Sequence, residues 1–201
     1  NMLYSITQFF FNLLYRIFFR LEVIGLENVP KKGAVIIASN HVSNLDPPTL
    51  GTALKNRQMG FMAKSELFKN PVFAYIIKSF GAFPVQRGAS DRTAIKTALD
   101  RLKNGCVVTI FPEGTRSRDG KLKKGASGVI SIAVKTGATI VPTAIIGTEK
   151  ISLKKPFPKI KVIFGEAYCI SGDIADKEVL QSETNRLMEK INLLLTTNKK
   201  D

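Results

Sequence analysis

An α/β fold, with a mixed β-sheet flanked by helices, is what this 201-residue chain predicts, because short β-branched runs alternate with helix-like stretches over most of its length. Its 44% apolar content is enough to bury one sizeable core. A wide apolar arc at the start predicts in addition an amphipathic, membrane-associated helical segment. The expected organisation is therefore an anchor over residues 1–20 and one α/β domain over residues 21–201.

The anchor is read from NMLYSITQFFFNLLYRIFFR, where no uninterrupted apolar run exceeds three residues after Thr7, too broken for a spanning helix. Wound at helical period, Ser5, Gln8, Asn12, Arg16 and Arg20 form one narrow polar stripe, and Phe, Leu, Ile and Tyr fill the remaining arc. Such a helix suits the bilayer interface, with the arginines toward lipid phosphates and the aromatics submerged. No small-residue cleavage site follows, so the segment is expected to stay on the chain.

Beyond it, LEVIGL and AVIIAS read as strands, a helix follows Pro47, and MGFMA and FPVQR read as strands around a helix near 71–80. Asp91 to Lys103 is a helix opened by an acidic cap and closed at Asn104 and Gly105, and VVTIF behind it is a buried strand. A helix from Gly125 to Lys135 leads into the strand ATIVPTAII; KIKVIFG is a last strand, and a long amphipathic helix runs from Asp176 to Leu195. The prolines and charges of Lys154 to Lys159 mark an exposed loop.

Thirty Lys and Arg against sixteen Asp and Glu give a formal charge of +14, which draws a protein toward nucleic acid, anionic lipid or acidic carrier proteins. Nucleic acid is disfavoured, because the chain has no aromatic-basic RNA signature, finger or basic zipper. Cys106 and Cys169 lack the spacing of a metal site or disulfide framework and are expected to be buried packing residues in a reduced, cytosol-facing compartment. A single histidine excludes metal sites built on several, and neither a metal nor a cofactor is expected.

That histidine is His41, in Asn40-His41-Val42-Ser43-Asn44-Leu45-Asp46-Pro47-Pro48, directly after an apolar strand. Pro47 suits the first helical position and Asp46 the N-cap, so both residues sit on a loop that can fold back on itself. In one reading Asp46 fixes the imidazole tautomer while the other ring nitrogen takes a substrate proton. In the other, Asp46 only caps the helix and His41 is a satisfied loop residue.

A second motif, Phe111-Pro112-Glu113-Gly114-Thr115-Arg116-Ser117, again ends a β-branched strand. Gly114 allows a tight turn beside a ligand, and Arg116 offers a planar fork suited to two phosphate oxygens. Pro47 and Pro48 have no N–H to give an oxyanion, so this helix start is poor in donors, and a backbone amide near Gly114 is one candidate in their place. Arg118, Lys123 and Lys124 read as a solvated basic face.

Asn-His with Asp five residues on, joined to Phe-Pro-Glu-Gly-Thr-Arg-Ser, resembles the glycerolipid acyltransferase family, in particular its bacterial 1-acylglycerol-3-phosphate acyltransferases. Phe61 to Leu67, Gly81 to Arg87 and Val141 to Ala144 agree with that family in the same order. The resemblance implies His41 as general base, Asp46 as its orienting carboxylate, and Arg116, Lys64 and Arg87 as holders of the acceptor's phosphate, with Glu113, Gly114 and Thr115 completing the substrate-binding loop.

It also implies transfer of a fatty acyl group from acyl-CoA or acyl carrier protein to the sn-2 hydroxyl of lysophosphatidate, giving phosphatidic acid at the cytoplasmic face of the cell membrane, by a peripheral or monotopic protein. Two alternatives stay open: acylation of glycerol 3-phosphate or another lysophospholipid, and non-catalytic binding of anionic lipid. For the second, the His41 and Asp46 pair would be superfluous.

Overall fold

A computed structural model of the chain describes residues 9, 13–15, 17–54, 57–79, 81–85, 92–152, 156–170 and 176–198. Among the described residues, seven strands form one sheet: β1 (Glu22–Ile24), β2 (Val35–Ser39), β3 (Met59–Lys64), β4 (Ala82–Val85), β5 (Val107–Ile110), β6 (Thr139–Ile146) and β7 (Lys161–Phe164). Their spatial order is β1-β7-β6-β2-β5-β3-β4, and every neighbouring pair is parallel except β6 and β7. The sheet is thus mixed, with a parallel half from β6 to β4.

Among the described residues, five helices have eight residues or more; α1 (Asp46–Ala53), α2 (Pro71–Ser79), α3 (Arg92–Lys103) and α4 (Gly128–Thr136) connect successive strands, and α5 (Lys177–Asn198) follows the last one. Central strands that are buried on both faces read as continuous apolar runs, and β2 is buried at all five positions. Its side chains alternate with the pleat. Ile36 and Ala38 join Ala98, Leu102, Ile130, Leu187 and Ile191 under α3, α4 and α5, whereas Val35 and Ile37 join Leu50, Met59 and Phe61 on the face of α1.

Several boundaries differ from the sequence expectation. Asp46 is the first residue of α1 and not its N-cap, because its carboxylate folds back onto the preceding loop; Leu45, whose side chain has no polar atom, holds the cap position without a side-chain bond. Helix α4 begins at Gly128 and not Gly125, since the Ala126 N–H is held by the Pro112 carbonyl at 2.8 Å. The LEVIGL run forms a strand only over Glu22–Ile24 and turns into a short 3-10 helix at Leu26–Asn28.

The cysteines are not buried packing residues. Cys106 is half-buried and Cys169 exposed, because Tyr168 pairs with Ile140 in an isolated bridge and the pleat turns the next side chain away from the core. The expected cap Asp91 lies outside the described residues, as do Lys154 and Lys155 of the expected loop.

Ser5, Gln8, Asn12 and Arg16 of the expected polar stripe also lie outside the described residues. Residues 13–15 and 17–19 are helical. Tyr15 and Phe19 pack against Ile160 of the domain, while Phe9, Leu13, Leu14, Ile17 and Phe18 are exposed. Among the described residues no helix is long and apolar enough to cross a membrane.

Candidate active site

Strand register decides which loops meet. Ala38 of β2 pairs with Ile110 of β5, so the segments that begin at Ser39 and Phe111 leave the same sheet edge side by side. Phe61 pairs with both Thr109 and Ala82, which brings the ends of β3 and β4, with Lys64 and Val85, to that edge as well. In an open parallel sheet the carboxyl ends of the strands are where ligands gather.

His41 and Asp46 touch. The imidazole Nδ1 is 2.8 Å from Asp46 Oδ2, which also accepts the N–H groups of Val42 at 2.7 Å and Ser43 at 2.8 Å. Its other oxygen, Oδ1, accepts the Thr148 hydroxyl at 2.6 Å. Asp46 is fully buried, and a buried carboxylate is tolerated only when its lone pairs are met, as they are here. An ionised carboxylate can only accept, so Nδ1 is the donor of this pair, and Nε2 is the ring nitrogen left to take a proton.

The two motif loops are stitched through His41. Its N–H donates to Glu113 Oε1 at 2.8 Å, its carbonyl accepts the Ser117 N–H at 2.8 Å, and its ring stacks on Phe111 with centroids 4.0 Å apart and planes 16° apart. Asn40 ties the same loop to β6: its amide nitrogen donates to the Ile145 carbonyl at 3.0 Å and its oxygen accepts the Ile145 N–H at 2.8 Å. The imidazole is therefore fixed in position by β2, β5, β6 and α1 together.

Glu113 has both oxygens engaged by the protein, Oε1 by the His41 N–H and Oε2 by the Lys123 N–H at 3.0 Å. Gly114 adopts a positive φ of 66° in a turn whose 3.0 Å bond runs from its own N–H to the Phe111 carbonyl. That N–H is consequently engaged within the turn.

Thr115 and Arg116 are exposed. Arg116 lines an open recess of about 440 Å³ with Val42, Ser117, Arg118, Asp119, Gly120 and Glu149. Its carbonyl accepts Lys123 Nζ at 2.8 Å, which braces the loop. The two acids of the recess are exposed but bonded to the protein: Asp119 accepts the Ser117 hydroxyl at 2.7 Å, and this bond is the first cause holding its carboxyl below the usual range, while Glu149 accepts the Gly147 N–H at 2.8 Å.

Lys64 is not part of that recess. It stands at the end of β3, half-exposed, and its ammonium pairs with Glu66 at 3.0 Å. Arg87 lies outside the described residues. Sequence reasoning missed Thr148 and the ring stack of Phe111; neither residue type is distinctive, and only the fold brings Thr148 to a residue 102 positions away.

Comparison with known proteins gives consistent findings. The sequence pattern of the acyltransferase family matches residues 20–146. A 1-acyl-sn-glycerol-3-phosphate acyltransferase of Bacillus subtilis (strain 168) is 37% identical over 176 residues, 85% of this chain and 86% of that protein. A chloroplastic 1-acyl-sn-glycerol-3-phosphate acyltransferase of Arabidopsis thaliana is 36% identical over 137 residues; the match takes in 67% of this chain but only 38% of the length of that relative. The crystal structure of the 1-acyl-sn-glycerophosphate acyltransferase PlsC from Thermotoga maritima superposes with a TM-score of 0.68 at 30% identity, covering 87% of this chain and 71% of that one.

Proposed function

The chain belongs to the acyltransferase family, and from that premise we propose that it is a 1-acylglycerol-3-phosphate O-acyltransferase, which moves a fatty acyl group from a thioester to the free hydroxyl of lysophosphatidate and forms phosphatidic acid. The observation that carries the mechanism is the 2.8 Å contact between His41 Nδ1 and the buried Asp46 carboxylate.

His41 Nε2 removes the proton of the acceptor hydroxyl as the oxygen attacks the thioester carbonyl. The tetrahedral adduct collapses with departure of the thiolate, and the imidazolium returns the proton to that sulfur. Asp46 holds the tautomer and steadies the imidazolium while it exists. No covalent enzyme intermediate is required. Arg116 offers its fork to the acceptor's phosphate beside the His41 loop. Lys64 and Arg87 join it: a half-exposed ion pair such as Lys64 with Glu66 contributes little, so exchanging the carboxylate for a phosphate costs little.

Residues 1–20 act as an interfacial anchor ahead of the acyltransferase domain of residues 21–201, a reading supported by the exposed Phe9, Leu13, Leu14, Ile17 and Phe18. The protein then works peripherally or monotopically at the cytoplasmic face, taking its donor from acyl-CoA or acyl carrier protein.

The test is thiol release from each donor, with lysophosphatidate, glycerol 3-phosphate and neutral lysolipids compared as acceptors. Release that depends on lysophosphatidate, with phosphatidic acid as product, is the expected outcome. Release with no acceptor would make the chain a thioesterase, and tight lipid binding without release from either donor would make it a lipid-binding protein.

A further inference from the structure

Helix α2 buries little of itself. Of the side chains described from Pro71 to Lys78, Ala74 is buried and Ile77 half-buried, while Val72 is 69%, Phe73 44% and Tyr75 61% exposed; Leu67, in the 3-10 turn that precedes the helix, is 42% exposed. A surface helix of a water-soluble fold ordinarily turns charged and polar residues outward, and a contiguous exposed apolar patch marks a contact surface. The chemistry around this patch specifies the contact. Lys69 before the helix and Lys78 in its last turn are both exposed and bracket the apolar residues with cations, on a chain of formal charge +14. Apolar side chains framed by lysines, with a tyrosine whose ring is apolar and whose tip is polar, fit the boundary between headgroups and acyl chains of an anionic bilayer.

The position of the patch agrees. The turn Ser65–Phe68 leaves β3 at the sheet edge that carries the His41 loop, and α2 runs from there back to the start of β4. Its first turn, with Val72 and Phe73, therefore lies toward the edge where the acceptor reacts.

We propose that α2, with Leu67, is a second membrane-docking element, separate from the N-terminal segment, that sets Val72, Phe73 and Tyr75 into an anionic lipid surface and aligns the active-site edge with it. The inference rests on the acyltransferase reading only for the statement that the acceptor is a lipid. Docking at this face keeps lysophosphatidate in the interface, with its headgroup delivered to Arg116 and His41 from the bilayer side.

The chain contains no tryptophan, so Tyr75→Trp places a sole indole reporter on the patch. With vesicles of phosphatidylglycerol and phosphatidylcholine in equal parts, its emission moves to the blue and is quenched by lipids brominated near the headgroup, and the effect weakens in phosphatidylcholine alone. Emission that stays unchanged while the protein sediments with the vesicles would overturn the proposal, and so would a blue shift that needs no lipid and grows with protein concentration, which would assign the patch to a second copy of the chain.

The double variant Val72→Asn with Tyr75→Asn raises the KM for lysophosphatidate in vesicles by roughly tenfold, given the apolar area withdrawn from the lipid, and leaves turnover of a short-chain, monomeric lysophosphatidate unchanged. Equal loss on both substrates would contradict it. The reporter reads docking whether or not acyl transfer occurs, whereas failure of the acyltransferase reading shows separately, as absence of acceptor-dependent thiol release by the wild type.

Discussion

At the scale of single residues, Asp46 stays buried because it accepts from four donors: the His41 ring, the amides of Val42 and Ser43, and the Thr148 hydroxyl. Three of these lie within five positions of Asp46, so their convergence is legible from the loop that Pro47 and Pro48 impose. Thr148 arrives from beyond β6 and carries no signal in the sequence. Thr148→Val keeps the shape but strips a dry carboxylate oxygen of its donor, and a hydrogen bond to a charged group contributes about 1.5–3 kcal/mol. We expect kcat to fall roughly tenfold with KM little changed, and Thr148→Ser to restore it, by steady-state kinetics on variants of matched folding. Loss of KM and kcat alike, without rescue by serine, would mean that Thr148 serves only the fold.

Arg116 makes the complementary case. Its side chain is exposed, so replacing it leaves the core intact, but Arg116→Lys trades a planar fork for a single ammonium. The acceptor's KM should rise roughly tenfold while kcat holds, and an unchanged KM would remove Arg116 from the phosphate site.

At the scale of elements, the strands are the more legible part, because β2, β5, β6 and β7 are mainly aliphatic and aromatic runs, with Ser39, Thr109, Thr143 and Lys161 as their buried polar side chains. Helix starts were less legible. The Asp46 carboxylate bonds backward instead of capping α1, and Ala126 is held by Pro112, and in each case a contact outside the helix overrides the local preference.

The junction of the N-terminal segment with the domain gives a pH-dependent test. Burial pushes the Tyr15 hydroxyl up to about 12 from 10.0, opposed by its hydrogen bond with Thr49 and reinforced by the charge of Asp46. Between those pH values the unfolded chain loses a proton that the folded chain keeps, so this contribution to stability is intact below pH 10 and is lost as pH rises through about 12. Tyr15→Phe removes the titration. Denaturant melts across the window should show the variant gaining on the wild type by up to about 3 kcal/mol, and parallel curves would mean that Tyr15 is not buried against the domain.

At the scale of the whole molecule, strand order is what converts separated motifs into one edge. Nothing local in the sequence announces that β5 inserts between β2 and β3, yet this insertion places the Phe111 loop against His41 and brings Lys64 to the same edge. The motifs were legible as a set only through their resemblance to a family; their shared edge follows from register. The exposed apolar side chains of the N-terminal segment and of α2, on a chain of formal charge +14, are the features on which the proposed contact with a lipid surface rests.

The most direct measurement is acceptor-dependent thiol release by the wild type, by His41→Ala and by Asp46→Asn, each shown to be folded, with lysophosphatidate supplied in anionic vesicles. General-base assistance is worth roughly 10² to 10⁴ in rate, so a loss of that order is expected for His41→Ala and a loss nearly as large for Asp46→Asn, with lipid binding retained by both. A folded His41→Ala protein that kept most of the wild-type turnover would contradict the general-base role of His41.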